Sequence, residues 1–215
     1  MEQTRRAERN KMEVTQIEAV TKTRYKVYLD GQFAFVLYKG ELSRYRIKVG
    51  EHISSDVYLE IKEEIILKRA KLRVMHLLND MDRTEAQLRE KLETGGFTED
   101  IVERALDYVK SFGYVNDREY ARRFIEGKKD RKSRKEIYAL LCRKGLNQTL
   151  VREVMEETLE PEDAGHAIEE LMRKKRYCPE TATEKEKQKM IGYLMRKGFR
   201  YEDIRQLTQV SGCNA

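Results

Sequence analysis

The stretch Ser133–Glu157, S-R-K-E-I-Y-A-L-L-C-R-K-G-L-N-Q-T-L-V-R-E-V-M-E-E, decides the fold, because the chain writes its pattern three times. Ser133 and Glu136 stand at capping-box spacing, a hydroxyl and a carboxylate that satisfy free amides at a helix start. Ile137, Leu140 and Leu141 lay an apolar stripe on one helical face. Gly145 ends that helix, since a residue without Cβ enters the left-handed conformation with least strain. Leu146 and Asn147 then supply a hydrophobic contact and a new N-cap. Leu150, Val151, Val154 and Met155 make the following helix amphipathic.

Upstream, Thr84 and Gln87 open the same pattern, followed by Leu88, Leu92, Gly96, Phe97, Ile101, Val102, Ala105 and Leu106. Downstream it returns as Thr183, Glu186, Met190, Leu194, Gly198, Phe199, Ile204 and Leu207. Leu92, Leu141 and Leu194 each lie four residues before their glycine. A shared set of offsets at three places predicts a tandem array of helical units. The expected first helices are the second half of Ser54–Asn79, Asp117–Gly127 with Tyr120, Ala121 and Phe124 inward, and Pro161–Lys175 with proline at its start. Each unit is then three helices, the last two forming a helix-turn-helix.

The N-terminal quarter has another period. Met1–Lys11 carries almost no apolar residue and predicts a mobile, mildly basic tail. Tyr25–Leu37 alternates around Asp30-Gly31, a hairpin signal. Val14–Val20 reads as a third strand, Glu41–Arg46 as a short helix and Ile47–Val49 as a short extended piece. Ser54–Asn79 is a long helical pattern with Val57, Ile61, Ile65, Leu72 and Met75 on one side and a possible break near Ala70. The expected fold is mainly α: three tandem three-helix, helix-turn-helix-like repeats with a small N-terminal β-hairpin or meander. The expected segments are a tail (1–12), the β-rich extension (13–52), the long helix with repeat one (53–112), repeat two (113–160) and repeat three (161–215).

Composition narrows the function. Of 215 residues, 38% are charged, which favours thin modules over one large globule, and the net charge of +6 favours an anionic partner. Cys142, Cys178 and Cys213 lie far apart with no metal-ligand spacing, so neither a disulfide framework nor a metal site is expected. The charged N-terminus and the lack of a membrane-length apolar run predict a cytoplasmic, reduced protein. No nucleotide-binding, zinc-protease or nucleophile-elbow motif is written in the chain. His52, His76 and His166 fall in different modules, and His76 reads as a half-buried structural residue. No catalytic residue and no cofactor is expected.

Charge placement separates the modules. Nine acids between Asp80 and Asp107 face four bases, Arg83, Arg89, Lys91 and Arg104. Between Arg122 and Lys144 ten bases face three acids, Glu126, Asp130 and Glu136. The third unit adds Arg173, Lys174, Lys175 and Arg176, then Lys185, Lys187, Lys189, Arg196, Lys197 and Arg200. A recognition helix offers its first residues to base edges. Repeat one would offer Glu99, Asp100 and Glu103, which phosphates repel, and repeat three mixes Arg200 with Glu202 and Asp203. Repeat two offers Asn147, Gln148 and Arg152, which could contact bases. Sequence-specific major-groove reading is not expected; a composite target of protein with nucleic acid suits one acidic and two basic modules.

The segment Ser111–Phe124, S-F-G-Y-V-N-D-R-E-Y-A-R-R-F, resembles the glycine-aromatic, Asp-Asp, Phe-Ala signature of the RecX family, regulators of RecA recombinase. Asn116 stands for one acid and Tyr120 for the usual phenylalanine. The L-x-x-K-G-F/L pattern at Leu141–Leu146 and Leu194–Phe199 also matches, while Gly95 replaces the lysine in repeat one. The resemblance covers about Ala70–Val210. It implies a non-enzymatic regulator, an inhibitor, binding in the groove of RecA filaments on single-stranded DNA. Weak direct DNA binding, no membrane and a monomer accompany that expectation. The filament-contacting candidates are Arg122, Arg123, Lys128, Lys129, Arg131, Lys132, Arg134, Lys135, Arg143 and Lys144, with Arg173, Lys174, Lys175, Arg176, Arg196 and Lys197. Whether they meet DNA phosphates or acidic protein groups stays open.

Overall fold

A computed structural model describes residues 11–208. The expected tail falls largely on residues 1–10 and, like Cys213, lies outside them. The chain is mainly helical with a small N-terminal sheet, and it divides into two compact units, Met1–Val115 and Asn116–Ala215.

In the first unit β1 (Lys11–Ala19), β2 (Arg24–Leu29), β3 (Gln32–Tyr38) and β4 (His52–Ser54) form an antiparallel sheet in the order β3-β2-β1-β4. Asp30 and Gly31 both take positive φ (48° and 80°), as the tight hairpin between β2 and β3 requires. The extended piece expected at Ile47–Val49 is not a strand. Ile47 is buried in the core, and the strand follows the turn at Gly50, whose amide donates to the Val14 carbonyl. The short helix, α1, runs Lys39–Arg44, two residues earlier than expected.

The long helix corrects the sequence reading more sharply. It runs through α2 (Ser55–Glu60), a π-helical stretch (Ile61–Leu67) and α3 (Lys68–Asp80), with no break at Ala70, which is fully buried. The wider π turn re-phases the helix. Its buried face is Ile61, Ile66, Ala70, Val74 and Leu77, whereas Leu72, assigned inward by a uniform 3.6-residue period, is 71% exposed. His76 is likewise exposed, not half-buried.

Helices α3, α4 (Glu85–Thr94) and α5 (Glu99–Ser111) form the first three-helix repeat. It shares one core with the sheet, in which Val14, Val27, Phe35 and Leu37 join Ile61, Val74, Leu88 and Leu106. Arg69 clamps the two: its guanidinium donates to the Val36 carbonyl at 3.0 Å, lies 4.6 Å from the Tyr38 ring centroid and pairs with Glu41.

The second unit holds two repeats with separate cores, α6 (Asp117–Glu126), α7 (Arg134–Arg143) and α8 (Gln148–Thr158), then α9 (Asp163–Lys174), α10 (Glu184–Arg196) and α11 (Tyr201–Thr208). On α6 the deep residues are Ala121 and Ile125, with Tyr120 and Phe124 only packed against them. Pro161 lies in the turn before α9 rather than in its first turn.

The repeated leucine and glycine have a common physical role. Gly96, Gly145 and Gly198 take φ of 86°, 86° and 91°. The amide after each glycine reaches back to the leucine carbonyl: Phe97 to Leu92, Leu146 to Leu141 and Phe199 to Leu194, at 3.3, 3.4 and 3.3 Å. These are three Schellman caps, which close a helix by satisfying its last carbonyls. The capping boxes differ. Those of Thr84 with Gln87 and Thr183 with Glu186 close in both directions. Ser133 accepts from the Glu136 amide at 3.1 Å, but the Glu136 carboxylate turns to Lys132 instead.

Candidate anion-binding cleft

The missing half of the Ser133 box marks where repeats two and three meet. Ser133 is 2% exposed, and its hydroxyl donates to the Lys197 carbonyl at 2.6 Å. Lys197 is the C-cap of α10, so the start of α7 abuts the end of α10. Lys129 spans the same boundary, with its ammonium 3.7 Å from Asp163 and 3.2 Å from Glu126. The Glu126 hydrogen bond raises the Lys129 pKa.

Beside this junction lies an open cleft of about 780 Å³. Its walls carry Lys129, Lys132, Arg134, Lys135 and Arg152 from repeat two and Arg200 from repeat three, six cations against Glu160, Asp163 and Asp203. Several are already engaged: Lys132 by Glu136, Lys129 by Asp163, and Arg134 by Glu156 at 3.9 Å. Lys135 and Arg200 are exposed and make no ion pair among the described residues. Arg152 lies 5.7 Å from the centroid of Tyr138, which also lines the cleft. Such a surface attracts an extended polyanion, and the Tyr138 ring offers a flat apolar face beside it.

Of the sequence candidates, the fold gathers Lys129, Lys132, Arg134 and Lys135 into the cleft. Arg122 and Arg123 pair with Glu119, outside it. Lys144 sits over the stacked rings of Tyr120 and Phe124, 5.6 Å from each centroid. Arg173 and Lys174 converge on Glu170 and hold its carboxyl at a pKa of about 2. Lys175 lies over Tyr193, and Arg176 caps α9 with a φ of 53°. Lys128, Arg131, Arg143 and Arg196 are exposed away from the cleft lining, and Lys197 contributes its carbonyl to the junction.

In the sequence Arg152 is a base-reading candidate, Arg200 also belongs to the basic run of the third unit, and Tyr138 carries no signal of its own. Arg152 and Arg200 lie on segments other than α7, so no local spacing connects them to its cations. Asn147 uses its side-chain oxygen as the α8 N-cap, accepting from the Thr149 and Leu150 amides.

Part of the acidic surface of repeat one is tied up in a lattice of pairs. Arg89 meets Glu85 and Glu103, Arg104 meets Glu63 through two 2.6 Å bonds, Lys62 meets Asp100, and Lys110 bridges Glu85 and Asp107. Hydrogen bonds from Arg104 and Arg89 hold the Glu63 and Glu103 carboxyls below their usual pKa. Among the described residues no helix is long and apolar enough to cross a membrane, and no three His, Cys, Asp or Glu side chains are placed to hold a metal ion.

Three-helix repeats closed by identical caps, with a cationic cleft where two of them join, define a helical-repeat protein. Comparison with known proteins gives the family. The description "RecX, first three-helix domain" matches residues 70–108, and "RecX, third three-helix domain" matches residues 163–208. A "Regulatory protein RecX" from Caldanaerobacter subterraneus subsp. tengcongensis is 32% identical over 183 residues, covering 85% of this chain and 90% of that one. Another from Clostridioides difficile is 28% identical, covering 90% and 93%. This chain belongs to the RecX family. Its fold is shared by the crystal structure of a regulatory protein RecX, with a TM-score of 0.58 and 23% identity over 93% of this chain and all of that one. RecX from Lactobacillus salivarius is also similar, with a TM-score of 0.56 and 19% identity over 67% of this chain and 95% of that one.

Proposed function

We propose that the protein is a non-catalytic regulator of RecA that binds in the groove of RecA filaments on single-stranded DNA and inhibits them, lowering strand exchange, ATP hydrolysis and co-protease activity. The observation that carries this reading is the basic cleft of the second unit, in a chain whose relatives are named regulatory proteins. A filament groove exposes phosphates and protein carboxylates together, and Lys135 and Arg200 are placed to meet either. Repeated modules gain affinity by linking weak contacts.

The test is RecA ATPase and filament disassembly, with and without this protein, at a salt concentration where it no longer binds bare DNA. Inhibition there supports the filament reading. Loss of all effect at that salt favours the second reading, a stand-alone nucleic-acid-binding protein without sequence preference, to which the cleft cations also lend support.

A further inference from the structure

The Schellman turns do more than end helices: in each unit one of them is the point where the preceding module docks. In repeat one the carbonyl of Gly95, just before the left-handed Gly96, accepts from the Arg24 guanidinium of the sheet at 2.8 Å. A Cβ built on Gly96 would stand 2.9 Å from Val36 Cγ2. In repeat three the corresponding carbonyl, Lys197, accepts from Ser133, and a Cβ on Gly198 would stand 3.0 Å from Ser133 Oγ and 3.1 Å from Lys135 Cβ. The docking device occurs twice with unrelated donors, an arginine and a serine.

In repeat three this junction borders the cleft, and it also touches a cleft cation. Lys135 Cβ and Cδ both lie within 3.3 Å of the place a Gly198 side chain would occupy, so the bare turn seats the Lys135 stem. Arg200 follows two residues later on the same turn. We infer that Ser133 is a positioning residue for the cleft: its hydroxyl, donated to the Lys197 carbonyl, holds Lys135 and Arg200 at the spacing at which both engage one polyanion. This rests on the cleft being the anion-binding surface. Ser133 itself need not touch the ligand.

The experiment measures binding of a fluorescein-labelled oligothymidylate to the full chain across a salt series. Ser133→Ala removes both an N-cap and the junction; Thr183→Ala removes a comparable N-cap far from the cleft lining. Each lost phosphate contact lowers the log–log salt slope by about 0.7, which is roughly fivefold in affinity at 0.1 M salt. Ser133→Ala is expected to lose at least that much, Ser133→Thr to recover it, and Thr183→Ala to bind like the wild type. If Ser133→Ala folds poorly, Gly198→Ala opens the junction by pressing a methyl group on Ser133 and Lys135 while the capping hydroxyl itself is kept. Gly113→Ala controls for backbone strain, since Gly113 also has positive φ but nothing within 4 Å of a built Cβ. Arg200→Glu separates the two claims. If it leaves binding unchanged, the cleft is not the anion site and the inference falls with that reading. If it weakens binding while Ser133→Ala matches Thr183→Ala, or Gly198→Ala matches Gly113→Ala, the cleft stands and the positioning role of Ser133 is overturned.

Discussion

Repeat one and repeat two are built to one pattern and put their charges to opposite uses. In and beside repeat one, Arg89, Arg104, Lys62 and Lys110 all end on Glu or Asp. In repeat two an excess of cations leaves Lys135 without an ion-pair partner among the described residues, facing the cleft with Arg152. A formal charge count therefore misjudges both. Glu85, Asp100, Glu103 and Asp107 of repeat one end on local cations, and only part of the basic run of repeat two gathers at the cleft. The same caps thus support a module joined to a sheet and a module lining a cationic cleft.

The comparison breaks most readily at the sheet. Deleting residues 1–50 removes Val14, Val27, Leu29, Phe35, Leu37 and Ile47 from the core shared with repeat one. At about 1.5–3 kcal/mol per buried side chain, the loss rivals the roughly 5–15 kcal/mol that holds a whole domain. Amide hydrogen exchange should show α4 and α5 losing protection while α6–α11 keep theirs. Unchanged protection of α4 and α5 would mean the sheet is an appendage.

A middle-sized effect tests the caps. Gly145→Val should lower stability by about 1–2 kcal/mol, because a β-branched residue is strained at a φ of 86°. Just after the C-cap of α9, Lys175, an arginine already bears such strain: Arg176 has a φ of 53°, and the next amide, Tyr177, reaches back to the Met172 carbonyl at 3.0 Å. Arg176→Gly should therefore raise stability by about 1 kcal/mol. Thermal melts showing no difference between these two substitutions would contradict the cap assignment.

The smallest effect is a titration. Hydrogen bonds from Arg173, then Lys174, depress the Glu170 carboxyl to about 2. A depressed carboxylate stabilises the fold above its unfolded pKa, and that contribution disappears as pH falls through the folded value. Carbon-13 NMR should show Glu170 titrating near pH 2, and Arg173→Ala should move it up towards the ordinary range. A Glu170 that already titrates normally would show that the basic run at Arg173–Arg176 is not locally satisfied.

Much of the architecture was legible because it is local. Capping residues, the leucine four before each glycine and the glycine itself act within one turn of chain, so their spacing reveals them. The π turn escaped, because nothing in Ile61–Leu67 breaks the apolar run and only packing against the sheet selects Ile66 over Ile65. The cleft was half legible: four of its five cations from repeat two are a charge run in sequence, with Tyr138 one helical turn beyond them. Arg152 and Arg200 reach it through tertiary packing alone. Ser133 was legible as a cap, and its bond to a carbonyl 64 residues away was not.

The central claim is that gathered cleft cations, and not net positive charge, carry the proposed action on RecA filaments. The most direct measurement compares the wild type with Lys132→Glu, Arg134→Glu, Lys135→Glu and Arg200→Glu combined, in filament disassembly and across a salt series. The fourfold variant should keep its circular dichroism, since Arg134, Lys135 and Arg200 are exposed and cost within about 0.5 kcal/mol each, with Lys132→Glu adding only the loss of one half-buried pair to Glu136, and should lose most of its effect on the filament. If phosphates are the target, its salt slope should fall by up to about three units; if carboxylates of RecA are, bare-DNA binding should survive. A folded fourfold variant that still acts at full strength would contradict the account.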